Sequence, residues 1–188
     1  MELRTNIRLQ SIRQLVMTKK IHFLGLILFL LVGTSMQAQE VDWLSWDEAV
    51  AKAQSDSDPK KVFIDVYTDW CGWCKRMDAD TFQNPEVAAY MNANFYMVKL
   101  DGEQKEPIEF NGKTYNFVPQ GRRGYHELAA ALLQGRLSYP TVVFLDENLK
   151  MLSPVPGYQK PDAFLKIAQY FGNNIYKDQD WQSYSQSK

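Results

Sequence analysis

The two cysteines of this 188-residue chain, Cys71 and Cys74, are the residues best suited to carry chemistry. They stand two residues apart in Trp-Cys-Gly-Trp-Cys-Lys, where an apolar run ends and a helix is predicted to begin. Free N–H groups and the dipole at a helix N-terminus stabilise an anion, so Cys71 is expected to ionise more readily than a free cysteine. Cys74 lies three residues further on the same side of the helix and can close a disulfide onto Cys71.

This arrangement predicts thiol:disulfide exchange, in which Cys71 attacks a substrate sulfur and Cys74 resolves the mixed disulfide. Two alternatives are half of a zinc site and an inert structural disulfide. A zinc site would lack ligands, because the chain has no second cysteine pair and His126 is the only histidine after residue 38. A disulfide that closes so short a loop adds little stability. We therefore predict no metal and no cofactor beyond the cysteines.

The N-terminal segment has the layout of a secretory signal peptide. Lys19 and Lys20 precede an apolar run over residues 21–32, and small or polar residues follow up to Ala38. A membrane anchor is the alternative, but about a dozen apolar residues fall short of the roughly 20 that span a bilayer as a helix. We expect an exported protein, in the periplasm, without a stable membrane span after signal removal.

The chain is predicted to hold one domain behind this segment. Translation is expected to start at Met17, so that residues 1–38 are an extension with a signal peptide and residues 39–188 a single domain. That domain has a formal net charge of −5, since 16 Lys or Arg stand against 21 Asp or Glu. Without a basic cluster or a glycine-rich phosphate loop, nucleic acid is not an expected partner. The expected partners are exported proteins with thiols or disulfides and an upstream redox protein.

The flanking sequence predicts an α/β fold, a central mixed sheet with helices on both faces. A capping box, a central strand that is apolar on both faces and an Asn-Pro helix start are the clearest local signals. The predicted elements are a helix after Ser45, a strand over 61–67, a helix at the cysteines, a helix over 86–92, a strand over 95–100, a helix over 125–134, strands over 140–146 and 151–154, and a helix from Pro161.

Two stretches do not fit a minimal domain of this kind. Residues 101–124 form a long connection, in which Asn111-Gly112 predicts a β-hairpin. Such an insertion can be functional or a passive ornament. The polar tail over 177–188 is predicted to be loose. His126 is expected on a helix surface. Arg122 and Arg123 are expected in solvent, and binding of an anionic partner is the alternative.

Four features together make residues 41–176 resemble the thioredoxin superfamily. Beside the cysteine motif, Asp65 lies six residues before it, Lys99 is on the next strand, and Pro140 follows Tyr139 before a third strand. The resemblance implies a thioredoxin-like fold in which Asp65 is a buried aspartate that helps to deprotonate the resolving cysteine. It also implies that Lys99 partners Asp65 and that Pro140 is a cis-proline whose loop offers backbone to an incoming peptide.

The stretch from Cys74 to Val87 looks especially like the secreted thioredoxin-like branch, which includes the C-terminal domain of the membrane thiol:disulfide interchange protein. This likeness favours the reductive direction. Trp73 stands where thioredoxins have proline, and the 101–124 insertion has no match in thioredoxin, so a redox potential is not carried over. The residues expected to contact a substrate form a rim around the disulfide: Trp70, Gly72, Trp73, Tyr139 and Pro140.

Each of these residues also has a structural interpretation. Asp65 can be an edge residue facing water, Lys99 a solvated strand lysine, and Pro140 the start of an edge strand. The aromatic residues of the rim can instead belong to the core, except Trp73, which cannot easily turn inward between the two cysteines. The rival function is a non-catalytic peptide-binding module, in which the Pro140 loop and the Asn111-Gly112 hairpin hold a peptide or subunit.

Overall fold

The computed structural model describes residues 40–186, and the predicted signal peptide lies outside them. The strands are β1 (Trp43–Leu44), β2 (Lys61–Tyr67), β3 (Phe95–Asp101), β4 (Ile108–Phe110), β5 (Lys113–Tyr115), β6 (Phe117–Gln120), β7 (Arg123–His126), β8 (Thr141–Leu145) and β9 (Met151–Pro156). The helices are α1 (Trp46–Ser55), α2 (Gly72–Met77), α3 (Pro85–Asn94), α4 (Glu127–Leu132), α5 (Pro161–Gly172) and α6 (Trp181–Gln186), with a π-helical turn over Asp78–Phe82 and a 3-10 turn over Ile175–Lys177. Among these helices none is long and apolar enough to cross a membrane.

The central sheet has five strands in the order β1-β3-β2-β8-β9. Strands β1, β3 and β2 run parallel, whereas β8 and β9 are antiparallel to their neighbours. The six residues from Lys61 to Val66 in β2 are all buried, as the predicted central strand requires. The mixed sheet, flanked by helices, is therefore confirmed.

Helices α2, α3 and α5 cover one face of the sheet, and an aromatic cluster fills that side. Phe63 of β2 makes edge contacts with Phe82, Phe144 and Phe164 at centroid distances of 5.8, 5.3 and 5.5 Å. Because side chains alternate along a strand, Asp65 points to the same face as Phe63. A carboxyl group thus lies beside an apolar core.

Helices α1 and α4 and hairpin β4–β5 cover the other face, where Val62, Ile64 and Val66 of β2 are buried. The predicted capping box starts α1. The Ser45 hydroxyl accepts a hydrogen bond from the Glu48 N–H at 3.2 Å, and the Glu48 carboxylate accepts one from the Ser45 N–H at 2.9 Å.

The predicted Asn-Pro signal also marks a helix start. The side-chain oxygen of Asn84 accepts hydrogen bonds from the N–H groups of Glu86 and Val87 at 3.0 and 3.2 Å. Helix α3 begins at Pro85 and runs to Asn94, two residues beyond the predicted end. The Asn84 cap therefore places the helix that follows the cysteine segment.

The insertion contains two hairpins, of which the sequence predicted one. In β4–β5, Asn111 and Gly112 form the turn with positive φ angles of 50° and 74°, as the Asn-Gly signal indicates. The second hairpin, β6–β7, was missed, and the helix predicted from Tyr125 begins instead at Glu127. Tyr125 and His126 pair with β6, which keeps them out of the helix.

His126 corrects a second expectation, since it is fully buried rather than on a helix surface. Its N–H donates to the Gly102 carbonyl at 2.7 Å, and its Nδ1 accepts from the Leu128 N–H at 3.3 Å, so its ring caps α4. Burial lowers the pKa of His126, and interactions with the Glu106 backbone and the Glu127 carboxylate partly oppose this. The residue anchors the insertion to the end of β3.

The loose tail predicted over 177–188 is wrong for the residues that the structure describes. Helix α6 packs Trp181 and Tyr184 against Tyr170 of α5 with ring centroids 5.3 Å apart in both pairs. The Tyr170 hydroxyl also donates to the Gln179 carbonyl at 2.8 Å. Aromatic packing orders a segment whose overall composition is polar.

Candidate active site

Cys71 and Cys74 form a disulfide where β2 has ended and α2 begins, with their Cα atoms 5.3 Å apart. Cys71 is the N-cap of α2, and its Sγ accepts a hydrogen bond from the Cys74 N–H at 3.0 Å. The two residues are 5% and 3% exposed, so only a small part of Cys71 reaches the surface. Gly72 is exposed between them, and a Cβ there would meet no atom within 4 Å. The access to the disulfide is thus free of side-chain bulk at Gly72.

Pro140 precedes β8, and its peptide bond with Tyr139 is cis. Thr141 pairs with Val66 of β2, which places Pro140 at the end of the sheet where the chain runs into the cysteine motif. Since β8 lies between β2 and β9, the alternative that Pro140 merely starts an edge strand is wrong.

A cluster of three charged side chains lies on the α2 face of the sheet. Asp65 is 2% exposed, which excludes the alternative that it faces water, and it stands opposite Lys99 in the β2–β3 register. The Lys99 Nζ lies 3.8 Å from the Asp65 carboxylate and forms a closer pair with Asp78. Lys99 also lies over the ring of Trp43 at 5.0 Å. It is therefore held between two carboxylates rather than solvated as a lone strand lysine.

Burial raises the pKa of Asp65 to about 7. The positive charge of Lys99 opposes this rise, and the negative charge of Asp78 adds to it. One oxygen of the Asp65 carboxylate has no hydrogen-bond partner among residues 40–186. Such a group can gain and lose a proton near neutral pH, which a solvated aspartate cannot do.

A cleft of about 550 Å³ leads to this cluster from the surface. Its walls include Trp43, Phe82 and Gln83, and it contacts both Asp78 and Lys99. The cleft thus opens onto Asp78 and Lys99, whereas Asp65 stays buried behind them.

Trp70, directly before Cys71, and Trp73, between the two cysteines, are 50% and 63% exposed. Trp73 has one ring neighbour, Tyr158, at 5.5 Å. The Trp70 ring contacts the edge of the Tyr139 ring at 6.0 Å, and its Nε1–H donates to the Glu103 carboxylate at 2.9 Å. Both tryptophans are therefore surface residues and not core residues.

Tyr139 is half-buried rather than fully presented to a partner. Its ring lies against Gly102, where a Cβ would come within 2.5 Å of the tyrosine hydroxyl. Burial raises the pKa of Tyr139 to about 12, with contributions from Glu103 and Asp101. The side chain is a neutral support beneath Trp70.

Sequence reasoning missed Asp78 and Glu103 at this site, and it placed Arg123 in solvent without its contact to Trp70. Asp78 follows Cys74 by four residues, a helical spacing that could have placed it beside the motif. Glu103 and Arg123 come from the insertion and contact Trp70, which no local pattern indicates. Within the described part of the chain, no group of three or more His, Cys, Asp or Glu residues is placed to hold a metal ion.

Comparisons with known proteins agree with this geometry. The family model Thioredox_DsbH, described as a protein of unknown function (DUF255), matches residues 33–155. The disulfide bond reductase DsbH of Chlamydia pneumoniae is 27% identical over 116 residues, which are 62% of this chain and 63% of that protein. Mouse spermatogenesis-associated protein 20 is 36% identical over 70 residues, 37% of this chain and 9% of its own length. The chain thus spans less than two thirds of these relatives.

Solved structures show the fold. A DsbH oxidoreductase superposes with a TM-score of 0.50 at 22% identity and covers 73% of this chain and 92% of its own. A thioredoxin-fold protein from Helicobacter pylori gives 0.52 at 20% identity, with 81% and 88% covered. The architecture around the disulfide is that of the thioredoxin fold.

Proposed function

Since this chain belongs to the thioredoxin-fold family Thioredox_DsbH (DUF255), we propose that it is a thiol:disulfide oxidoreductase acting through Cys71 and Cys74. The observation that carries the proposal is a disulfide at the start of α2, beside the Pro140 loop and on the strand end that follows buried Asp65. A disulfide that closes so short a loop contributes little to the stability of the fold, so redox chemistry explains its presence better than a structural role does.

In the reductive direction the Cys71 thiolate attacks one sulfur of a partner disulfide. The S–S bond of the partner breaks, a Cys71–S–S–partner bond forms, and the first partner sulfur leaves as a thiolate that takes a proton from solvent. The Cys74 thiolate then attacks the Cys71 Sγ and releases the second partner thiol. The partner gains two electrons, and the protein is left with the Cys71–Cys74 disulfide.

The N-terminus of α2 stabilises the attacking thiolate. The Cys74 N–H already points at the Cys71 Sγ at 3.0 Å, and a negative sulfur would strengthen that hydrogen bond. The partial positive charge of the helix start acts in the same direction.

Asp65 supplies the proton acceptor for Cys74. A carboxyl group with a pKa of about 7 is matched to a proton transfer at neutral pH. Burial is the main cause of that pKa, Lys99 lowers it and Asp78 raises it further. The cleft beside Lys99 and Asp78 would exchange the proton with solvent. All three are positioning or proton-transfer residues, whereas the cysteines form the bonds.

We further propose reduction as the physiological direction and exported proteins as the partners. The relative from Chlamydia pneumoniae carries the name disulfide bond reductase, and the sequence from Cys74 to Val87 resembles reductive exported proteins. Lys19, Lys20 and the apolar run over 21–32 support export to the periplasm. A reductant in that compartment needs a second redox protein that returns it to the dithiol state.

The proposal is tested by trapping. In cells that express Cys74→Ser, Cys71 should accumulate in mixed disulfides with partner proteins, seen as adducts that dithiothreitol releases. The matched control, Cys71→Ser, lacks the proposed attacking thiol and should give far fewer adducts. A folded Cys74→Ser protein that forms no adduct would contradict exchange. Full function of a double Cys→Ser variant in vivo would support the peptide-binding module instead.

A further inference from the structure

The second hairpin of the insertion brings a cation to the rim of the disulfide. Arg123 begins β7, and its guanidinium lies over the Trp70 ring, 4.2 Å from the ring centroid. Trp70 directly precedes Cys71 in the chain. Arg123 follows Cys71 by 52 residues in the sequence. The fold nevertheless places its guanidinium on the ring of the residue next to Cys71.

The guanidinium of Arg123 makes no hydrogen bond or ion pair within residues 40–186, where it contacts the Trp70 ring. No carboxylate in that range lies within 4.0 Å of its nitrogens. Glu103 contacts the same indole through Nε1 and still does not pair with Arg123. A stacked guanidinium keeps its N–H donors in the plane of the group, open to a bidentate carboxylate.

The backbone fixes where this cation stands. Gly124 follows Arg123 at a φ of 149°, and a Cβ there would clash with Phe117 and the Val118 carbonyl, so the hairpin closes tightly at this point. The His126 N–H donates to the Gly102 carbonyl at 2.7 Å, and Gly102 N–H donates to Tyr67 at the end of β2 at 2.7 Å. The hairpin is thereby tied to the strand that carries the site.

Several carboxylates also belong to the segments beside this site. Asp69, Glu103 and Glu106 lie close enough to Asp101 to raise its pKa, after burial, which is the larger cause. An acidic group of a partner would be repelled by this cluster and accepted at Arg123. The charges around the site therefore restrict both the charge of a partner group and the place where that group can bind.

We infer that Arg123 is a specificity-determining residue, which selects partners that carry an aspartate or glutamate beside the reacting cysteine. The inference rests on the proposed exchange function and adds the charge of the partner segment to it. The insertion is then a recognition element and not a passive ornament.

The experiment measures how fast the reduced full chain reduces two synthetic peptides. Each peptide holds one intramolecular disulfide, and each cysteine is flanked by glutamates in one peptide and by glutamines in the other. Reactions at low ionic strength are quenched with acid, and the peptide thiols are counted by mass spectrometry. The variants are Arg123→Gln and the matched control Arg122→Gln. Arg122 is the neighbour of Arg123 in the chain but does not lie over the Trp70 ring.

Both variants lower the net charge equally, so the long-range field of the domain cancels when they are compared. We expect the Glu-to-Gln rate ratio to be roughly two- to five-fold lower in Arg123→Gln than in Arg122→Gln, the range for an exposed ion pair. Equal ratios in the two variants would overturn the inference while leaving exchange intact. If the wild type reduces neither peptide, the proposed function fails and the inference with it.

Discussion

The side chains near the disulfide fall into two regions that differ in polarity and in exposure to solvent. On the side of the sheet that α2 covers, Asp65 is buried and linked through Lys99 to Asp78, with no solvent-exposed aromatic group among them. On the outer side, Trp70 and Trp73 are at least half exposed. The first region buries a carboxyl group, and the second exposes apolar surface to water.

Both the buried carboxyl group and the exposed indoles cost stability, which suggests that each has a functional reason. A buried carboxylate is destabilising unless it is paired, and its pairing here leaves one oxygen unsatisfied among the described residues. An exposed indole forgoes the stability that burial would give. The difference supports the proposal that proton transfer takes place in the interior and partner contact at the rim. The following predictions separate the two regions.

The largest effect is expected for the pH dependence of stability. The pKa of Asp65 is about 7 in the folded protein and near 3.8 when the chain is unfolded, so the unfolded state loses its proton first. The free energy of unfolding should therefore fall as pH rises from about 4 to about 7, by roughly 4 kcal/mol for this group. Asp65→Asn lacks this loss and should be more stable than wild type at pH 8, but little different at pH 4. Urea unfolding of the oxidised proteins at both pH values measures the difference.

Asp78→Asn is the matched control for that experiment. It removes the negative charge that raises the pKa of Asp65, so the pH-dependent loss of stability should become smaller without disappearing. Equal pH slopes for wild type and Asp65→Asn would show that Asp65 does not titrate in this range.

A smaller but more specific effect is expected in the resolving step, in which Cys74 releases the partner from Cys71. With Asp65→Asn, the attack of Cys74 on the mixed disulfide should slow by about tenfold or more at pH 7, because general bases contribute factors of roughly 10² or above. The rate is read from the decay of a preformed mixed disulfide between Cys71 and a small thiol. The initial attack by Cys71 serves as the internal control and should keep its rate. An unchanged resolving step would remove the proton-acceptor role.

The smallest effect is expected at the rim. Trp73→Ala should raise the KM for a peptide disulfide a few-fold and change stability by less than about 0.5 kcal/mol, since a largely exposed side chain loses little on truncation. Trp70→Ala should cost about 1–2 kcal/mol, because it also loses the Glu103 hydrogen bond and the Arg123 stack. Peptide kinetics and urea unfolding give both numbers. Equal losses of stability in Trp70→Ala and Trp73→Ala would show that the contacts of Trp70 with Glu103 and Arg123 do not stabilise the protein.

The sequence predicted those parts of the fold that local signals specify. The Ser45–Glu48 capping box, the Asn84 cap and the Asn111-Gly112 turn each act within four residues, and all three are present. Strand β2 was recognisable because both of its faces are apolar except at Asp65.

What the sequence did not reveal depends on distant contacts. Pro119 and a Gly121-Arg122 turn obscured the second hairpin, so His126 was placed on a helix surface. The contact of Arg123 with Trp70 joins residues far apart in the chain, which composition does not encode. The Asp65–Lys99 pair was anticipated through the family resemblance, and its extension to Asp78 became visible only in the structure.

A redox titration of the Cys71–Cys74 pair tests the central claim most directly. The full chain is equilibrated with mixtures of reduced and oxidised glutathione, and the dithiol fraction is read by thiol alkylation. Tryptophan fluorescence, dominated at the site by Trp70 and Trp73, follows the same change. We predict a reversible two-electron transition of the folded protein, with a potential near the approximately −270 mV of thioredoxin. A disulfide that resists reduction until the protein unfolds would contradict the account, and a potential near about −120 mV would reverse the proposed direction.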